Sequence, residues 1–174
     1  KDVYHYLNKV AADDPFGQRR GLCHRIVRAM VEIYKVSDTK MLTAKIDEIS
    51  SLIENSYDGE KNPPDIQKLK GMIREFEEEL VWAHFGIQVK NVHHLRLGFY
   101  TGDIFTEQPE RIRDVLPILD MLRTIKPTVI SLALDPEGSG PDTHYKVLQA
   151  IAEAIKLWSE EEDISKLRVW GYRN

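Results

Sequence analysis

Apolar residues recur every three or four positions through most of this chain, and strand-like runs interrupt that rhythm only in the second half. From Gln18 to Val36 the apolar residues Leu22, Ile26, Ala29, Met30 and Ile33 fall at helical spacing. Ser37-Asp38 then offers side-chain oxygens to cap a second helix, whose stripe is Leu42, Ile46, Ile49, Leu52 and Ile53. The pair reads as a helical hairpin. Ahead of it residues 1–17 show weak periodicity, and Asp13-Asp14-Pro15-Phe16-Gly17 reads as a turn. Tyr57 to Pro64, with Asp58-Gly59 and Pro63-Pro64, forms the strongest internal boundary. Beyond it Asp65 is placed to cap a long helix running to Phe85. Its apolar stripe is Ile66, Leu69, Ile73, Phe76, Leu80, Val81 and Ala83, and Gly86 stands where a helix-ending glycine belongs.

The pattern then changes. Val92 to Phe99 predicts a strand. A helix opened by Pro109 carries Ile112, Val115, Leu116, Leu119 and Leu122, and Pro117 inside it should kink it or delay its true start. Pro127 precedes the apolar run Val129 to Leu134, expected to be a strand buried on both faces. Thr143 to Trp158 predicts a helix with Val147, Leu148, Ile151, Ala154 and Ile155 inward, and Leu167 to Trp170 a last strand. Strand, helix, strand, helix, strand is a parallel α/β layout. The expected organisation is a helical segment over residues 1–60 and an α/β domain over 61–174.

Composition narrows the classes. With 174 residues and 42 % hydrophobic content, the chain fits one domain with an appendage. A net charge of −4 offers no basic footprint for nucleic acid. No apolar run approaches the ~20 residues of a membrane span, and no secretory signal is visible. The single Cys23 excludes an internal disulfide and a cysteine zinc cage, so a cytoplasmic setting is the expectation. The start at Lys1 and the stop at Asn174, just past a strand, read as cuts inside a larger protein.

The most informative stretch for chemistry is Leu132 to Val147: a buried strand, a loop rich in Gly and Pro, and a helix start carrying His144. That layout places side chains at the carboxyl edge of an α/β sheet, where such folds bind ligands. Exposed amides at a helix start favour an anion or an activated water, and a neutral imidazole there suits zinc. The plainer alternative is that Asp142 or Thr143 caps the helix and His144 is a first-turn residue. Asp135 and Glu137 follow the strand as possible acid, base or ligand, or as carboxylates that solvate a loop. Arg74 and Glu77 share a helix face and read as a surface ion pair. His93 and His94, on a strand, would point to opposite faces, one of them toward the core or a helix. Cys23 and His24 splay by about 100° on a helix and make no dyad. Arg19, Arg20, Arg25 and Arg28 make a basic helix face, solvated or set to dock a phosphate.

The run Arg74-Glu-Phe-Glu77, Phe85-Gly86, Val92 to Tyr100, Lys126-Pro-Thr-Val-Ile-Ser-Leu-Ala-Leu-Asp-Pro-Glu137 and Thr143-His144 resembles the zinc-dependent N-deacetylases of the LmbE/PIG-L family. It is most similar to the version fused behind a glucosamine-6-phosphate deaminase (NagB-like) domain, and covers residues 65–174. The resemblance implies a Rossmann-like parallel sheet with flanking helices. It also implies hydrolysis of an N-acetyl group from an amino sugar, with zinc as cofactor. The implied partners are an amino-sugar or sugar-phosphate ligand and a fused or associated deaminase domain. His144 then stands as the last zinc ligand, Arg74 on the substrate side, and Asp142, Asp135 and Glu137 as candidate catalytic carboxylates. Two departures stand out. The family's His-Pro-Asp-Asp loop, which supplies two zinc ligands and the general base, has no counterpart here. Pro141 occupies the place of an oxyanion-stabilising histidine, with neither a charge nor an N–H to donate. The complete parent is therefore expected to hold zinc and this chain alone to hold none, with a non-catalytic binding or scaffolding domain as the rival reading.

Overall fold

The computed structural model describes residues 15–99, 107–134 and 142–172. The chain divides into two compact units, Lys1–His94 and Leu95–Asn174. Each has its own core.

The first unit is helical: α1 (Pro15–Tyr34), α2 (Thr39–Asn55) and α3 (Pro64–His84). Phe16 and Gly17, expected in a turn, are already helical. Asp38 caps α2 as its position suggests, its carboxylate accepting from the Met41 N–H at 2.8 Å. Asp65 does not cap α3. Pro63 takes that place and Asp65 lies in the first turn, because Pro64 fits a first helical position where no N–H is needed. At the other end Gly86 adopts φ +82. The Ile87 N–H then reaches the Trp82 carbonyl at 2.9 Å and the Gly86 N–H the Ala83 carbonyl at 3.0 Å, the paired bonds of a Schellman ending. Ala29 and Met30 of α1, Ile49 of α2, and Ile66, Leu69 and Met72 of α3 form the core. Phe76 is fully enclosed, with the Arg25 guanidinium 5.1 Å from its ring centroid.

The second unit mixes helix and strand. The strand expected over Val92 to Phe99 does not form. Residues 92–97 follow a 3₁₀ turn at Val89–Asn91 without forming a strand, and Arg96 at φ +49 breaks any extended run. The next helix opens with a π turn, Arg111–Val115, before α4 proper, Leu116–Ile125. The Val115 N–H bonds the Glu110 carbonyl at 3.2 Å, the wide i to i−5 closure. Pro117 sits in the first turn of α4, where its missing N–H does no harm, so it delays the regular helix as expected. The wide turn carries Ile112 out of the inward stripe, and it is exposed.

β1 (Val129–Ala133), α5 (Asp142–Ser159) and β2 (Arg168–Tyr172) complete the unit. The strands pair in parallel, with Val129 opposite Arg168 and Ala133 opposite Tyr172. Val115, Ile118, Leu119 and Leu122 pack against Ala150, Ala154 and Trp158 of α5, where the two alanines admit close approach. The buried row of α5 is Lys146, Ala150, Ala154 and Trp158, one position off the expected stripe, so Val147, Leu148, Ile151 and Ile155 are half-buried flanks. β1 is not buried on both faces. Ile130 and Leu132 turn toward the helices, while Val129 and Ser131 are exposed on the other side. In register with them on that side stand Arg168, Trp170 and Tyr172, all exposed. Among the described residues no third strand or helix covers that face.

A buried charge ties the unit together. Asp114, with 0 % exposure, accepts from the Gly98 N–H at 2.6 Å and the Glu110 N–H at 2.8 Å. It also pairs with Arg113 at 3.0 Å. Arg113 in turn reaches Glu107 at 2.5 Å and the Gln108 carbonyl at 3.1 Å. Burial alone would raise the Asp114 carboxyl; the Arg113 hydrogen bond and the two amides outweigh it and hold the group below its usual range. Gly98 matters here because a Cβ would run into Cδ and Nε of Arg113, with Cγ at 2.9 Å. Arg113 cannot yield without releasing its partners. Gly98→Ala is therefore expected to destabilise the second unit by roughly 1–3 kcal/mol, read as a lowered urea midpoint with an unchanged slope.

Candidate functional site

The carboxyl end of β1 and the first turn of α5 meet around His144. Ala133, Leu134, His144, Tyr145 and Leu148 line a shallow depression with no room for a water. His144 is half-buried there. Asp142 and Thr143 both lie inside the helix, and the Asp142 carboxylate pairs with Lys146 Nζ at 2.7 Å. Lys146 is the surprise: its side chain is only 4 % exposed, while Asp142 is mostly in solvent. The i,i+4 spacing of an acid and a base at a helix start was the available signal. Its burial was not legible, because the inward stripe runs through 146 rather than 147. Asp135, Glu137 and Pro141 lie outside the described residues.

Arg74 and Glu77 stand exposed on α3 in the first unit, and among the described residues they form no ion pair. The polar cluster of that unit lies elsewhere. Glu79, buried on α3, sets Oε1 at 3.6 Å from Arg25 and 3.5 Å from His94 Nε2. Its Oε2 has no hydrogen-bond partner. His94 thus turns toward a helix while His93 is exposed, as their adjacency suggested. Arg25 leaves the otherwise exposed basic face of α1 for the same reason.

Among the described residues no three His, Cys, Asp or Glu side chains come together to hold a metal ion. His144 is one imidazole, and catalytic zinc needs three protein ligands. The described residues therefore do not fit a zinc centre. No helix among them is long and apolar enough to cross a membrane.

What the geometry defines is a helical unit and an α/β unit in which the first turn of α5 sets one histidine beside the carboxyl end of β1. No protein-family model and no solved structure matches the chain. A curated protein of Bacteroides thetaiotaomicron, named as a glucosamine-6-phosphate deaminase-like protein, is 31 % identical over 147 residues, or 82 % of this chain. The chain spans only 22 % of that relative's length.

Proposed function

We propose that this chain is part of an amino-sugar metabolism protein, the deacetylase-like portion of a glucosamine-6-phosphate deaminase-like polypeptide. The observation that carries this reading is a likeness to the Bacteroides protein running through 82 % of the chain. The motif likeness to LmbE/PIG-L deacetylases over residues 65–174 supports the finer assignment, with its Rossmann-like sheet. In the complete protein His144 is the ligand this chain contributes, and the chemistry is metal-assisted hydrolysis of an N-acetyl amide. Asp135, Glu137 and Asp142 are the carboxylates within reach of that loop in sequence, and Arg74 the substrate-side cation. The test is metal analysis of the full-length parent. About one zinc per chain, lost together with deacetylation in His144→Ala, is the expected result. A parent that binds no zinc overturns it.

A second reading, a non-catalytic binding or scaffolding domain serving the deaminase, draws on a specific observation: Asp142 is already engaged by Lys146. On that reading His144→Ala leaves every activity of the parent unchanged.

A further inference from the structure

The helical unit locks its first and third helices together with an arginine, an aromatic ring and a carboxylate. Arg25 of α1 lies over the Phe76 ring of α3 at 5.1 Å and 3.6 Å from the Glu79 carboxylate. The same three side-chain types stand again on the outer sides of these two helices, away from the core, and there they are exposed.

On α1 the outer side carries Arg19, Arg20 and Arg28 together with Phe16, which is 72 % exposed, and Val31. Arg20 follows Phe16 by four positions and Val31 follows Arg20 by eleven, so the three share one side of the helix. α1 holds four arginines against one glutamate, in a chain whose net charge is −4. On α3 Glu78, Val81, Trp82 and Phe85 fall at i, i+3, i+4 and i+7, the spacing by which a helix anchors on a partner. Phe85 is 74 % exposed, and Glu78 accepts from Trp82 Nε1 at 2.6 Å, which holds the indole in place on the surface. Four of the six residues from Arg74 to Glu79 are glutamates. One helix thus offers cations around an apolar strip, and the other offers carboxylates around aromatic anchors. Buried aromatic anchors supply affinity, and opposed charges select and orient the partner.

We propose that each of these faces is covered by the other face on a second copy of this chain. α1 of one molecule lies antiparallel on α3 of the next, with Arg19 and Arg20 opposite Glu77 and Glu78 and with Phe16 against Trp82. The outer faces repeat between molecules the arginine, ring and carboxylate that join the two helices within one. Because the two faces differ, the contact is head-to-tail, and every docked pair leaves one face of each kind for a further copy. No residue of the His144 site takes part, so this assembly and the deacetylase reading are tested separately.

The test is sedimentation velocity of the full chain over a concentration series, at low and at high salt. The sedimentation coefficient should keep rising with concentration and fall back as salt screens the charges. Arg19→Glu/Arg20→Glu and Glu77→Lys/Glu78→Lys should each weaken the association by about tenfold or more. A one-to-one mixture of these two variants should restore it, because each then meets the charge that it repels in itself. That rescue also shows that both variants are folded. Phe85→Ala should weaken the association by about tenfold as the loss of an aromatic anchor. Trp170→Ser, on the uncovered strand face of the other unit, should leave it unchanged. A monomer at every concentration, a mixture no more associated than its components, or association abolished by Trp170→Ser alone overturns the proposal.

Discussion

Asp114→Ala should remove roughly 2–3 kcal/mol from the α/β unit, the scale of leaving buried donors without an acceptor. The carboxylate is fully enclosed and serves two backbone amides as well as Arg113. Its removal strands the Gly98 and Glu110 N–H groups and leaves the Arg113 guanidinium short of its main partner. Denaturant unfolding measures the loss, and hydrogen exchange should place it in α4, α5 and the 107–110 segment. A loss under 1 kcal/mol, within the range of ordinary surface changes, would mean that the knot is solvent-relaxed and adds little. The same group gives a pH dependence with a definite sign. Its folded-state pKa lies below the unfolded value, so its contribution is complete above the usual carboxylate range. It is lost as the pH falls through the depressed folded value. Asp114→Asn should flatten the acid limb of the stability curve, since the amide does not titrate.

Phe76→Ala is the matching expectation for the helical unit, at roughly 3–5 kcal/mol. The ring has 0 % exposure, so its deletion leaves a cavity in the α3 face. It also removes the surface under the Arg25 guanidinium, which lies 3.6 Å from the buried Glu79 carboxylate. Packing and charge burial thus fail together. Exchange protection should drop in α1 and α3 and persist in α5. Equal loss in both units would show that their cores unfold as one.

Much of this architecture was legible in the residues. The helical stripes placed α1, α2 and α3, Asp38 announced its cap, Gly86 its Schellman turn and Pro117 the late start of α4. Those signals are local: a hydroxyl or carboxylate before a helix, a glycine free of Cβ strain, a proline without an N–H. What was not legible depended on partners distant in the chain. Val92 to Phe99 has a strand's composition, but a strand exists only by pairing, and no described neighbour pairs with it. The run after Pro127 is apolar enough for two covered faces, yet among the described residues only one is covered. Lys146 reads as a solvated helix residue until the one-position shift of the α5 stripe is known. For the candidate site, His144 at the sheet edge followed from order of elements alone.

The uncovered side of the β1–β2 pair also sets how this polypeptide behaves as a material. Parallel strands normally stay hidden, and Val129, Trp170 and Tyr172 here form an exposed apolar strip that no described element covers. An exposed apolar face of this kind favours adhesion between molecules.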